Sequence, residues 1–157
     1  MPPLLFDQQA SLRANETWQA NCGPHALAAA CALNIEDVRD AIPDFAEMPW
    51  TTPTRMKAAL VKLKRLFVEV RGVRSQELPS RGMARIQWEG RWLNPGVPKV
   101  VAYGYTHWVA AWDGWVFDTT SEKFGWVPLA EWKQAIDEFA TREFEGWHVT
   151  HHYLLQR

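Results

Sequence analysis

The alternation of apolar and polar positions divides the chain into a helical first half and a strand-rich second half, an α+β pattern. Gly23-Pro24 followed by His-Ala-Leu-Ala-Ala-Ala-Cys-Ala-Leu predicts a helix, because proline is tolerated in a first turn and the Ala/Leu run has high propensity. Asn34 can cap a second, short helix over 35–42 that Pro43 stops. A third starts at Thr54, with Met56, Leu60 and Leu63 on one face and Arg55, Lys62 and Arg65 off it. Phe67 to Val70 alternates as a strand does. Residues 80–93 fit neither period: Met83, Ile86 and Leu93 suit a helix, and Gly90 opposes one.

After Pro95-Gly96 the pattern sharpens. Lys99 to Tyr103 reads as a strand, 128–139 as a helix and 147–155 as a closing strand. His107 to Trp112 and Trp115 to Thr119 flank Asp113-Gly114, a two-residue hairpin signal. That turn sets a register in which Trp112 opposes Trp115, Ala110 opposes Phe117 and Val109 opposes Asp118. Side chains alternate, so His107, Val109, Ala111, Val116 and Asp118 share one face. Trp108, Ala110, Trp112, Trp115 and Phe117 take the other, a core face. His107 and Asp118 become diagonal neighbours on the less bulky side, within reach of each other.

Length and composition narrow the class. The 157 residues suit one domain, 1–157, and 47% apolar with 22% charged residues is ordinary for a globular chain. A net charge of −1 offers no global attraction to nucleic acid or to an anionic membrane, so neither is expected as a partner. The apolar run Ala26–Leu33 is too short to span a bilayer, and Met1–Phe6 lacks the basic start of a secretory signal. A cytoplasmic location is the expectation, with oligomeric state left open. The ten Trp residues are the compositional oddity, a large aromatic payload for a core or a surface.

Two cysteines remain to be explained. On one helix Cys22 and Cys31 would be about 13 Å apart along the axis, beyond the ~7 Å between Cα atoms that a disulfide allows. Cys31 lies among alanines and reads as core packing. Cys22 stands where a helix begins, and the exposed N–H groups there favour its thiolate, the nucleophilic form. A nucleophilic cysteine needs a base and the base an orienter; His107 and Asp118 on the hairpin supply both.

His25, one turn beyond Cys22, is a pocket residue or a solvated helix-start residue. Of His148, His151 and His152, strict alternation puts the first and last on one side and His151 on the other, too few ligands for a metal site; no metal and no cofactor are expected. The stretch 55–74 carries Arg55, Lys57, Lys62, Lys64, Arg65, Arg71 and Arg74 against Glu69 alone, read as a solvated helix face and strand.

Cys22-Gly23-Pro24-His-Ala26-Leu27, followed far downstream by His107-Trp108-Val109 and then Val-Phe-Asp118, resembles the papain-like cysteine peptidases. It is most similar to the bacterial subgroup related to peptidase domains that process double-glycine bacteriocin leaders. The resemblance implies a fold in which N-terminal helices carry the nucleophile onto an antiparallel sheet. It also implies Cys22 as nucleophile, His107 as general base and acid, and Asp118 as orienter, acting on a protein or peptide substrate. The family's oxyanion-hole Gln stands further upstream of the cysteine, where this chain has Glu16 or Thr17. Gln19 is therefore the candidate donor, alongside the Cys22 N–H. The same triad serves transglutaminase-like acyl transfer or deamidation, and a non-catalytic binding module could keep the fold. Some papain-like enzymes place Asn where Asp118 stands, so Asp118→Asn is expected to keep much of the activity.

Overall fold

A computed structural model describes residues 1–156. Its centre is a six-stranded antiparallel sheet in the order β1-β6-β2-β3-β4-β5, formed by β1 (Phe67–Arg71), β2 (Arg81–Glu89), β3 (Thr106–Trp112), β4 (Trp115–Phe117), β5 (Trp126–Pro128) and β6 (Gly146–Leu155). The helices α1 (Gln8–Trp18), α2 (Cys22–Cys31) and α3 (Pro53–Lys62) cover one face, where Leu27, Met56 and Leu60 pack with Met83, Trp108, Ala110, Phe117 and Tyr153. A longer helix, α5 (Leu129–Glu143), covers the other with Trp132, Ile136 and Ala140, against Ala84, Ile86, Val109, Val116 and Val149. No helix among the described residues is long and apolar enough to cross a membrane.

The hairpin forms in the expected register, Trp112 opposite Trp115 and Ala110 opposite Phe117, around Asp113 and Gly114 at φ 44° and 88°. Its second face is not the bare one that the pattern suggests. Val109 and Val116 are buried there, because α5 closes over them.

Within residues 80–93, Arg81–Glu89 form β2, the strand flanked by β6 and β3, and Arg91–Leu93 form a 3₁₀ turn. The β2 residues from Gly82 to Trp88 are all buried, so no alternation could show in the sequence. The helix α1 went unread for the opposite reason: only Ala14 and Trp18 of its residues are buried, and a two-residue stripe gives no helical signal. Asp7 caps it by accepting from Ala10 N–H at 2.7 Å. The expected helix over 35–42 shrinks to one 3₁₀ turn, Ile35–Val38, followed by irregular turns.

Lys99–Tyr103 is not a strand. It forms a single helical turn, α4 (Lys99–Ala102), and then a 3₁₀ turn, Tyr103–Tyr105. Both edges of β2, the strand it packs on, are already paired. Instead the buried Gln87 amide donates to the carbonyls of Ala102 and Tyr105, each at 3.0 Å, and holds the turn.

A β-bulge sets the side chains of β6. Arg85 opposes His151 but Ile86 opposes Val149, so Thr150 is the extra residue. The bulge reverses the alternation after it. His148, opposite Gln87, and His151, opposite Arg85, now share a face, and His152, opposite Ala84, takes the other. The strict alternation expected from sequence therefore fails here. Among the described residues no group of three His, Cys, Asp or Glu side chains is placed to hold a metal ion.

The tightest approach in the sheet is at Gly82, whose φ is 137°; a Cβ there would lie 1.9 Å from the Tyr153 carbonyl oxygen. Gly82→Ala is expected to destabilise the fold by roughly 2–4 kcal/mol, from left-handed strain plus displacement of β6. Urea denaturation measures this, and an unchanged midpoint would contradict the close β2–β6 packing.

Candidate active site

The helix α2 starts at Asn21, an extended residue whose Oδ1 accepts from Gly23 N–H at 3.3 Å. Its Nδ2 donates to the Pro49 carbonyl at 2.6 Å and ties the helix start to the loop that leads into α3. Cys22 is thereby the first helical residue, half-buried, at one wall of a cleft of about 840 Å³. Trp50 to Thr54 and the turn around Tyr103 form its other walls. Its floor is a row of cross-strand neighbours on four strands: Arg71, His151, Arg85 and Trp108. Thr51 packs so closely on the helix start that a Cβ at Gly23 would lie 2.2 Å from its Oγ1.

The cysteine, the histidine and the aspartate meet. The Cys22 thiol lies close enough to His107 and to the backbone N–H of Trp108 for both to lower its pKa. His107 Nε2 lies 2.6 Å from Asp118 Oδ1, which leaves Nδ1 as the nitrogen for the thiol. Trp88 stacks on the imidazole, centroids 5.9 Å apart. Asp118, just past the end of β4, also accepts from Thr120 N–H at 2.9 Å, from Thr120 Oγ1 at 2.8 Å and from Trp132 Nε1 at 2.8 Å.

Charge follows from these contacts. Burial pushes Asp118 up, but the His107 charge and hydrogen bond, with Trp132 and Thr120, hold it well below the usual carboxylate range. Burial pushes His107 down, yet the charges of Asp118 and Cys22 on either side raise it well above the ordinary imidazole value. Burial likewise pushes the Cys22 thiol up, and the His107 charge, its hydrogen bond and the Trp108 N–H bring the net shift downward. Both shifts favour a thiolate–imidazolium pair with a carboxylate behind it, titrating as one unit. Cys31 is the contrast: buried, its thiol is pushed up to about 11 despite the nearby Arg65.

The remaining candidates lie elsewhere. Gln19 ends α1 in a left-handed conformation, φ 61°, with an exposed side chain, and is not among the residues lining the cleft. His25 is not a pocket residue. It is buried between helices, Nδ1 donating to the Asn21 carbonyl and Nε2 accepting from Ser11 Oγ, both at 2.7 Å, and burial lowers its pKa. The cations of 55–74 are largely engaged: Arg55 donates to the carbonyls of Pro43, Met48 and Trp50, Lys62 to that of Asp40 and Arg65 to that of Cys31. Lys57 and Arg71 pair with Glu69.

Sequence reasoning missed Trp88, Thr120, Trp132 and Arg85. Thr120 was within reach, since a hydroxyl and an N–H two residues after an aspartate form an Asx-type turn. Trp132 was not, because nothing local says that its helix folds over the hairpin. No family model matches the chain, and neither the curated proteins nor the solved structures yield a match.

The Trp132 bond revises the expectation for Asp118→Asn. With the amide oxygen kept toward His107 and Thr120, the NH₂ group would face the Trp132 N–H, donor against donor. Asp118→Asn is therefore expected to cost about 1–3 kcal/mol of stability and to lower Cys22 reactivity. Adding Trp132→Phe removes the opposed donor, so the double variant should lose less than the sum of the single losses. Denaturation of the four proteins measures that coupling, and strictly additive losses would show that the indole does not hold Asp118.

Proposed function

We propose that the chain is a papain-like cysteine hydrolase that cleaves peptide or isopeptide bonds through Cys22, His107 and Asp118. The observation that supports this reading is the convergence of the Cys22 thiol on His107, which is itself hydrogen-bonded to the buried Asp118 carboxylate, with the thiol at a helix start on a cleft. The thiolate attacks the carbonyl carbon, and the developing oxyanion is received by the Cys22 N–H at the first turn of α2. Gln19 would join that N–H only by leaving its place at the end of α1. The His107 imidazolium gives its Nδ1 proton to the departing amine as the C–N bond breaks, leaving a thioester. Neutral His107 then takes a proton from water, whose oxygen attacks the thioester and releases the acid and the thiolate. Asp118 keeps Nε2 protonated and the ring in place throughout.

Labelling with a broad thiol electrophile, followed by mass spectrometry to locate the adduct, tests the nucleophile. Near pH 7 Cys22 is expected to react more than about a hundredfold faster than Cys31, whose thiol is buried and scarcely ionised. Equal rates would remove the enzyme reading and leave a binding module.

The pH profile of that reaction tests the pair. The imidazolium stabilises the thiolate, so alkylation of Cys22 should stay fast into mildly acidic solution. His107→Ala removes the charge and donor that lower the pKa most and leaves burial and the Asp118 charge, which raise it, opposed by the Trp108 N–H, so the midpoint should move up toward the free-thiol value of ~8.5. A midpoint already near that value and unmoved by His107→Ala would show that the two side chains do not interact.

A further inference from the structure

Two buried side-chain polar atoms among the described residues lack any hydrogen-bond partner, Thr51 Oγ1 and Arg85 Nε, and both residues line the cleft that holds Cys22. Arg85 is the more telling. It stands on β2 at the bulge and is only 7% exposed. Its Nη1 donates to Thr150 Oγ1 at a long 3.3 Å, and the Tyr103 ring lies 5.8 Å away. No carboxylate among the described residues pairs with it. The one carboxylate lining the cleft, Glu69, is already held by Lys57 and Arg71. Arg85 also forms the wall shared with an adjoining groove of about 610 Å³, which Arg74 and Lys99 line and no carboxylate does. His151, its cross-strand neighbour, is pushed down by burial and by the Arg85 charge, so it is neutral near pH 7 and adds no counter-charge.

A guanidinium keeps its proton inside a protein, and a buried charge without a partner is among the costliest groups to retain. Its planar fork of donors matches a carboxylate, which would supply two of the missing bonds together with the missing charge. We propose that Arg85 is the carboxylate-binding residue of this cleft, and that the substrate of Cys22 is a peptide carrying a carboxylate there, as an acidic side chain or a free C-terminus. The substrate class rests on the hydrolase reading; the carboxylate site does not.

The test is calorimetric titration of the full chain carrying Cys22→Ala with three ligands of one shape. N-acetylglutaminamide has no carboxylate, N-acetylglutamine has only the C-terminal one, and the α-amide of N-acetylglutamate has only the side-chain one. At least one of the two acids is expected to bind about tenfold or more tighter than the neutral ligand, and which one does so identifies the source. Arg85→Gln in the same background should abolish the difference. Equal binding by all three, no binding by any, or a preference that survives Arg85→Gln would overturn the proposal. Should Arg85→Gln fail to fold, Arg85→Met serves. It keeps the bulk and removes an unpaired charge, so it should melt at or above the parent temperature and lose the preference. A markedly lower melting temperature would show that the charge is already compensated and would overturn the proposal. Because Cys22 is absent from the titrated protein, the outcome is independent of catalysis. A carboxylate preference in a chain whose Cys22 proves unreactive would keep the site and remove the hydrolase reading.

Discussion

The carboxylate of Asp118 is buried, and a buried charge persists only if nearly every lone pair finds a donor. Four donors reach it: the His107 ring, the Thr120 N–H and hydroxyl, and the Trp132 indole. Each fixes a different piece of chain. His107 belongs to β3, Thr120 to the turn after β4, and Trp132 to the start of α5, so one carboxylate pins the end of the sheet to the helix over its second face. The imidazole carries that constraint on, since Nε2 engaged by Asp118 leaves Nδ1 for Cys22 on α2. The nucleophile's position thus depends on a helix it does not touch.

The abundance of Trp acquires a reason here. Trp88 stacks on His107, Trp132 donates to Asp118, and Trp108 sets its backbone N–H near the thiol and gives its indole N–H to the Thr51 carbonyl at 2.8 Å. Large flat side chains with one polar edge can exclude water around charges and still satisfy them. In the drier surroundings that result, each hydrogen bond between ionised groups is stronger than it would be in water. Trp108 does more, because its bond to Thr51 anchors the opposite wall of the cleft.

What the sequence makes legible here is whatever is local or periodic. The helix after Cys22, the Asp113-Gly114 turn and the facing of His107 and Asp118 all follow from spacing, and a cysteine's need for a base then pairs Cys22 with that hairpin. Features that need a second element could not. The strand β2 is buried on both faces and carries no alternation; α1 buries too little to show a stripe; the Lys99–Tyr103 run has strand composition but lies against β2, whose two edges are both taken. The Thr150 bulge is the sharpest case, because one extra residue exchanges the faces of His151 and His152 without any mark in the sequence.

That bulge also separates two ways of burying a charge in one sheet. Asp118 sits where the chain turns, with backbone, hydroxyl and indole donors converging, and it costs the fold little because it is fully paired. Arg85 sits in the middle of β2, where backbone groups are already spent on the ladders to β6 and β3 and only side chains could serve it. The bulge brings one hydroxyl, Thr150, and no carboxylate. A fold selected for stability alone would fill this position with an apolar side chain like those of Ala84 and Ile86 beside it, since replacing an unpaired buried charge by an apolar group generally stabilises. Retaining the cation in the floor of the cleft that holds the thiolate is a local cost to the free protein, and such costs concentrate where a site must recognise something. The carboxylate is satisfied from within the fold, and the guanidinium is left to be satisfied from outside it.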